Sequence, residues 1–320
     1  MKKQFDVIGM GELLIDFTDS GMSEQGNPVY EANPGGAPCN VLAMLQKMGR
    51  KTAFIGKVGA DVFGKDLRIV LNEQGIDTSH LYVDPVIPTT LAFVHTGEGG
   101  ERDFSFYRRP GADLMIDERE IFPDFIKQGR IFHFGSLSMT DSICRKATYK
   151  AVAAAQNAGL LLSFDPNYRA PLWSSEEEAR EQIAYGLSNC DILKISDNEL
   201  LMMTGQPDYE RAVEALYMQY RVPMIFLTMG RDGSLVYYKK RIIYQKAFRC
   251  DAVETTGAGD TFWGMILHFL LDFDIEKVTD EQWKNALLYA NAAAGLITMR
   301  KGALRVMPDI DAIKKFVSLF

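Results

Sequence analysis

Short apolar runs of strand length alternate with helix-period segments along most of this chain, and that alternation limits the fold more than any other feature. Residues 5–10, 52–58, 131–134, 160–164, 192–195 and 224–228 read as buried strands. Between them, residues 40–48, 66–73, 142–157, 175–187 and 209–220 carry helical spacing, and Gly49, Gly75 and Gly159 stand just past three of their ends. A parallel pair of strands needs a crossover, and a helix is the usual one. The order therefore predicts an α/β fold, a three-layer sandwich with a mainly parallel central sheet and helices on both faces. Ligands in such sheets bind beyond the carboxyl ends of the strands.

Two segments break the rhythm. Residues 12–34 and 88–115 lack helical periodicity and carry alternating or aromatic runs such as Leu91-Ala92-Phe93-Val94. They are expected to form a small β-sheet over the strand ends, serving as a lid or a dimer surface. Residues 235–238 and 242–245 read as a later hairpin around Lys239-Lys240-Arg241. No internal repeat or Pro/Ser-rich linker divides the chain, so one domain over residues 1–320 is expected. With 320 residues, 47% of them hydrophobic, that domain can bury a large core. A net charge of −7 argues against nucleic acid or an anionic membrane as the main partner. Cys39, Cys144, Cys190 and Cys250 are scattered without metal-ligand spacing, which fits reduced thiols. With no signal peptide and no stretch of membrane-span length, a cytoplasmic protein is expected.

The chemistry concentrates at Thr255-Thr256-Gly257-Ala258-Gly259-Asp260. Small residues allow a tight turn and a close backbone approach to a ligand. Phe262, Ile266, Leu267 and Leu270 follow at helical spacing, so the turn sits at a helix N-terminus, where unpaired N–H groups and the helix dipole suit an anion. Asp260 is out of place there unless it has a task. Taking a proton from an attacking hydroxyl is one; capping the helix is the plainer alternative.

The motif has company. Gly9-Met10-Gly11-Glu12-Leu13-Leu14-Ile15-Asp16 opens the chain, and Gly35-Gly36-Ala37-Pro38-Cys39-Asn40 precedes the first helix. Gly9-Met10-Gly11 lacks the third glycine of a dinucleotide fingerprint, which disfavours a nicotinamide-dependent oxidoreductase. Taken in order from about residue 5 to 308, the set resembles the ribokinase-like sugar kinases of the phosphofructokinase-B type. The resemblance implies an ATP-dependent kinase using Mg²⁺, with Asp260 as base and the N–H groups of Gly257, Ala258 and Gly259 as the anion hole. It assigns Asp16, Gly36 and Asn40 to the sugar hydroxyls and Arg169 to the phosphate and substrate side. Asn167, Ser196, Thr228, Gly230, Gly233 and Asn291 fall on the nucleotide side, and Glu199 would hold the water shell of Mg²⁺. Glu254, Thr256, Arg300 and Gly302 lie where some relatives bind a monovalent cation such as K⁺. Ser196 stands in place of the family's usual Asn, Glu254 in place of Asp, and Leu42 and Met265 in place of small residues.

The run from Gly100 to Asp113, with Phe104-Ser105-Phe106-Tyr107-Arg108, looks like the lid strand of fructokinases. Phe106 would pack on the apolar side of the sugar and Arg108 would bind substrate. The resemblance thus implies transfer of the ATP γ-phosphoryl group to D-fructose. A 2-keto-3-deoxygluconate kinase is the nearest alternative, with Arg108 and Arg169 forking the carboxylate. A silent sugar or nucleotide sensor on the same fold is less favoured, because a sensor need not keep the base. The expected partners are a small sugar and ATP, with a homodimer through the lid.

Overall fold

A computed structural model describes residues 3–96 and 102–320. Gly100 and Glu101, which open the predicted lid-strand run, lie outside the described residues. The strands are β1 (Val7–Met10), β2 (Leu14–Met22), β3 (Pro28–Gly35), β4 (Thr52–Gly59), β5 (Asp77–Asp84), β6 (Leu91–Thr96) and β7 (Arg102–Tyr107), followed by β8 (Ile131–Gly135), β9 (Leu161–Asp165), β10 (Ile192–Ser196), β11 (Met224–Thr228), β12 (Ser234–Tyr238) and β13 (Arg241–Gln245). The helices are α1 (Ala37–Lys47), α2 (Val62–Glu73), α3 (Pro123–Ile126), α4 (Ser142–Asn157) and α5 (Glu176–Asn189), then α6 (Asp197–Thr204), α7 (Tyr209–Tyr220), α8 (Ala258–Leu270), α9 (Asp280–Thr298) and α10 (Ile310–Val317).

Nine strands form one sheet in the order β13-β12-β11-β10-β9-β8-β1-β4-β5. All neighbours are parallel except β11/β12 and β12/β13. Because successive strand residues face opposite sides, the sheet feeds two cores. Val7, Phe54, Ile192 and Phe226 join α1, α8, α9 and α10 through Leu42, Trp263, Trp283 and Phe316. Ile8, Ile55, Leu193 and Ile225 join α4, α5 and α7 through Ala147, Ile183 and Val213. This is the three-layer α/β sandwich that the element order predicted.

Two helices begin earlier than their apolar spacing indicates. Pro38 is tolerated in the first turn of α1, where its missing N–H costs nothing. The α1 start takes its acceptor from a distant residue, with Ala37 N–H donating to Glu12 Oε1 at 2.9 Å. Asp61 caps α2 through Gly64 N–H at 2.8 Å, four residues ahead of the expected start. The edge strand β5 had no sequence expectation. Only Leu81 in it is buried, so it shows no apolar alternation to read.

The two irregular segments pair as a second sheet, β3-β2-β6-β7. Asp16, Ala92 and Phe106 are register partners across three of its strands and share one face. The opposite face carries an aromatic cluster: Phe17 stacks on Phe93 at 4.8 Å, and Tyr30 and Tyr107 meet Phe93 edge-on at 5.4 and 5.5 Å.

Candidate active site

A cleft of about 510 Å³ opens at the carboxyl ends of the parallel strands. Five of the parallel strands deliver residues into it: Glu12 after β1, Leu137 after β8, Asn167 and Arg169 after β9, Ser196 and Asp197 at the end of β10, and Thr228 and Gly230 at the end of β11. The small sheet closes one side with Asp16 and Phe106. The α8 N-terminus supplies Thr255 to Asp260, and α9 supplies Asn291 and Ala294. A volume of this size suits a small-molecule ligand.

Asp260 is the centre of this arrangement. It is 9% exposed, and its Oδ2 accepts a 2.8 Å hydrogen bond from Asn40 Nδ2, so residues 220 positions apart meet. Burial pushes Asp260 above the usual carboxylate range, against the opposing pull of Asn40, Lys194 and Arg169. Asn40 Oδ1 has no hydrogen-bond partner among the described residues. Such an atom fits a ligand hydroxyl, because an unmade hydrogen bond in a buried place is costly.

Gly257 precedes α8 with φ at +76°, the left-handed region. A side chain there would be strained, and its Cβ would lie 2.9 Å from that of Ala303. We expect Gly257→Ala to destabilise the fold by about 1–3 kcal/mol, read by urea unfolding; an unchanged midpoint would show that the turn relaxes. The three N–H groups assigned to an anion hole are not equivalent. That of Ala258 already donates to Thr255 O at 3.3 Å, whereas the first turn of α8 also presents Gly259 and Asp260.

Lys194 carried no signal as a site residue, being one charge inside the apolar run of β10. Its Nζ lies 3.0 Å from Asp165 Oδ2, with both side chains buried. Burial alone would lower Lys194, but Asp165, Glu199 and Asp260 together hold it raised. Burial, with Glu199 and Asp260 nearby, pushes Asp165 up to about 7 in spite of Lys194. Glu199 keeps its charge: burial works against ionisation, but Lys194 and the N–H groups of Ser196 and Tyr168 outweigh it. Its Oε1 accepts from Tyr168 N–H at 2.7 Å and its Oε2 from Ser196 N–H at 2.8 Å. Ser196 and Glu199 form a capping box at the start of α6, so the Ser replacing Asn serves here as a helix cap.

At the β11 end of the cleft, Met229 N–H donates to Gly233 O at 2.8 Å, closing the turn from Thr228 through Gly230 to Gly233. Asn291 lines the cleft, but its amide is committed: Oδ1 accepts from Ser234 and Nδ2 donates to the Gln245 and Lys246 carbonyls. It therefore fixes the end of β13. It sits in the C-terminal half of α9.

Arg108 departs from the sequence expectation. It is buried outside this cleft, with its guanidinium forked onto Asp113 at 2.5 and 2.8 Å and bonded to Leu137 O and Thr140 Oγ1. It lines a neighbouring cavity with Arg109, Trp173 and Ser174, and Phe106 is the wall common to both. A buried Asp five residues on satisfies it, a pairing that one-dimensional spacing does not reveal. Arg169 does line the cleft, with Nη1 donating to Tyr168 O at 3.0 Å. Glu254, Arg300 and Gly302 are also outside it. Glu254 is 7% exposed, and its Oε2 accepts from Gly302 N–H at 2.9 Å, tying the two loops together behind Thr255 and Thr256.

The profile of the pfkB family carbohydrate kinases matches residues 6–310. The chain belongs to the pfkB family of carbohydrate kinases. This pfkB kinase is 38% identical over 310 residues to probable fructokinase-2 of Arabidopsis thaliana, covering 96% of this chain and 94% of that protein. The fructokinase of Xylella fastidiosa, solved with bound ATP, superimposes with a TM-score of 0.89 at 29% identity, over 100% of this chain and 99% of that one. A double mutant of the Vibrio cholerae O395 fructokinase, solved in a fructose, ADP and potassium ion bound form, gives a TM-score of 0.88 at 29% identity, over 99% and 100%.

The charge around Lys194 bears on a divalent cation. Asp165, Glu199 and Asp260 act together on one ammonium, a surplus of negative charge that suits a hydrated Mg²⁺. Among the described residues no group of three or more His, Cys, Asp or Glu is arranged to hold a metal. A hydrated Mg²⁺ held chiefly by nucleotide phosphates and water fits such a site.

Proposed function

We propose that this kinase transfers the γ-phosphoryl group of ATP to the primary hydroxyl of D-fructose, giving fructose 6-phosphate and ADP. The observation that carries the reading is the Asn40–Asp260 pair, which brings a sugar-site amide and a buried carboxylate together at the anion-binding start of α8. Asp16, Gly36 and Asn40 hold the sugar hydroxyls from the end where the small sheet meets β1, and Phe106 packs on its apolar side. Asp260 takes the proton as the hydroxyl attacks in line. The N–H groups of Gly257, Gly259 and Asp260, with Arg169, bind the transferring phosphoryl group where charge builds. Thr228, Gly230, Gly233, Asn167 and Asn291 shape the nucleotide end. Mg²⁺ would neutralise β- and γ-phosphate charge in this reaction, with Glu199 and Ser196 on its water shell. The small sheet acts as the lid that excludes water.

The keto-acid alternative needs two arginines on one carboxylate, and Arg108 is spent on Asp113 outside the cleft. ADP release from Mg²⁺-ATP, followed with D-fructose and in parallel with 2-keto-3-deoxygluconate, tests the reading. Turnover is expected on fructose; turnover confined to the keto-acid, or none on either, would overturn it.

Three further points belong to the same reading. The Glu254–Gly302 contact shapes the loop pair at which K⁺ would act, so replacing K⁺ by tetramethylammonium in the assay should lower kcat. The aromatic face of the small sheet, with Tyr107 and Met22 exposed, is the surface for a homodimer, to be read by light scattering. The four free cysteines agree with work in the cytoplasm.

A further inference from the structure

We propose that Glu12 binds a hydroxyl of the sugar, as a further acceptor-site residue; the assignment rests on the fructokinase reading above. Glu12 follows β1 by two residues, is 4% exposed and lines the cleft beside Asp16, Gly36 and Asn40. Its Oε1 is taken by Ala37 N–H at 2.9 Å, and apart from its own backbone N–H no further donor among the described residues holds the carboxylate, which leaves acceptor capacity for a ligand. The backbone locks the same contact from the other side. Gly36 has φ at +126°, and a Cβ there would run into the Glu12 carbonyl, so glycine lets the sugar-binding turn lie directly on Glu12.

Capping alone does not explain this residue. A helix is ordinarily capped by the residue just before it, as Asp61, Asp141, Ser175, Asp208 and Asp309 do here. At α1 the acceptor is imported from 25 positions away. That brings a carboxyl into the cleft wall with acceptor capacity to spare. The charged and titratable groups facing it are Arg108, which favours its ionised form, Asp113, which opposes it, and Cys39. Burial outweighs them all and pushes the carboxyl up to about 7. Ionised Glu12 accepts a charge-assisted hydrogen bond from a sugar O–H, so sugar capture strengthens as pH rises through that range.

Steady-state kinetics on the intact protein test this. Glu12→Gln keeps an oxygen for Ala37 but loses the charge. It should raise the fructose KM about ten-fold while leaving kcat and the ATP KM within about three-fold. The rise of kcat/KM for fructose through about pH 7 should be smaller in Glu12→Gln than in the wild type, the part that remains belonging to Asp260. Glu12→Asp, a second variant should the first fold poorly, should raise the fructose KM yet keep the pH dependence. A residue that only caps α1 would shift the melting temperature and none of these readouts. An unchanged fructose KM in both variants, or the same pH profile in Glu12→Gln, overturns the assignment while wild-type turnover leaves the fructokinase reading standing. A wild type inert towards fructose overturns both.

Discussion

Asp260→Asn should lower kcat on fructose by about two to four orders of magnitude, the span ordinarily supplied by a positioned general base. The substitution keeps the shape of the side chain and an oxygen able to accept from Asn40 Nδ2, which donates to Asp260 Oδ2 at 2.8 Å. Fructose and ATP affinities should therefore change little, and calorimetric titration of each ligand would separate lost chemistry from lost binding. The pH dependence follows from the raised Asp260 carboxyl. A base works ionised, so activity should fail on acidification at a higher pH than an ordinary carboxylate of pKa about 4 would dictate. If the asparagine variant turns over at near wild-type rate, Asp260 is a cap for α8 and the base lies elsewhere.

Lys194→Met is expected to have the largest effect on stability. Its Nζ sits within 3.1 Å of both Asp165 carboxylate oxygens, deep at the end of β10. Removing one member of a buried pair leaves an uncompensated charge, which ordinarily costs about 3–5 kcal/mol. The loss should depend on pH in a definite direction. The folded Asp165 carboxyl already stands at about 7, above its unfolded value, and in the variant it loses its cationic partner and keeps only neutral donors such as Asn167 N–H. Below about pH 7 the folded carboxyl keeps its proton with or without Lys194, so the two proteins lose stability alike as the unfolded chain ionises. Above it the wild-type carboxyl ionises against Lys194 and the loss levels off, whereas the variant, with its folded pKa pushed higher still, goes on losing stability as pH rises. Urea unfolding at pH 6 and pH 8 would read this, with the greater deficit at pH 8. A deficit under about 1 kcal/mol, equal at the two pH values, would mean that the pair contributes little net stability.

Lys194 also shows where sequence reasoning stops. A lone lysine in the apolar run Ile192-Leu193-Lys194-Ile195 gives no sign of a site. It is buried because the α8 turn and the β9 end converge on it. Gly259 must be small there, since a Cβ would lie 3.1 Å from Lys194 Nζ. Asp165 was visible as part of Asp165-Pro166-Asn167-Tyr168-Arg169, but its partner was not. Glu12 stood in plain view beside Gly11, yet only folding against Ala37 shows that it caps a helix and lines the cleft. Arg108 failed in the opposite direction. Its neighbours in the Phe-Ser-Phe-Tyr-Arg run pointed to substrate, and a partner five residues on removed it from the cleft.

What the chain determined by itself is what short-range physics can encode. Strand-length apolar runs, helical periods and the glycines at their ends specify the layers. The Gly257-Ala258-Gly259-Asp260 turn specifies a helix start suited to an anion, because backbone freedom and helix polarity are local properties. The meeting of Asn40 with Asp260, the enclosure of Lys194 by three carboxylates and the retreat of Arg108 were decided only by the tertiary structure. Those depend on which strand ends lie side by side in the sheet order, and on the low-dielectric burial that follows. Both are sums over residues tens to hundreds of positions apart, and no local pattern carries them.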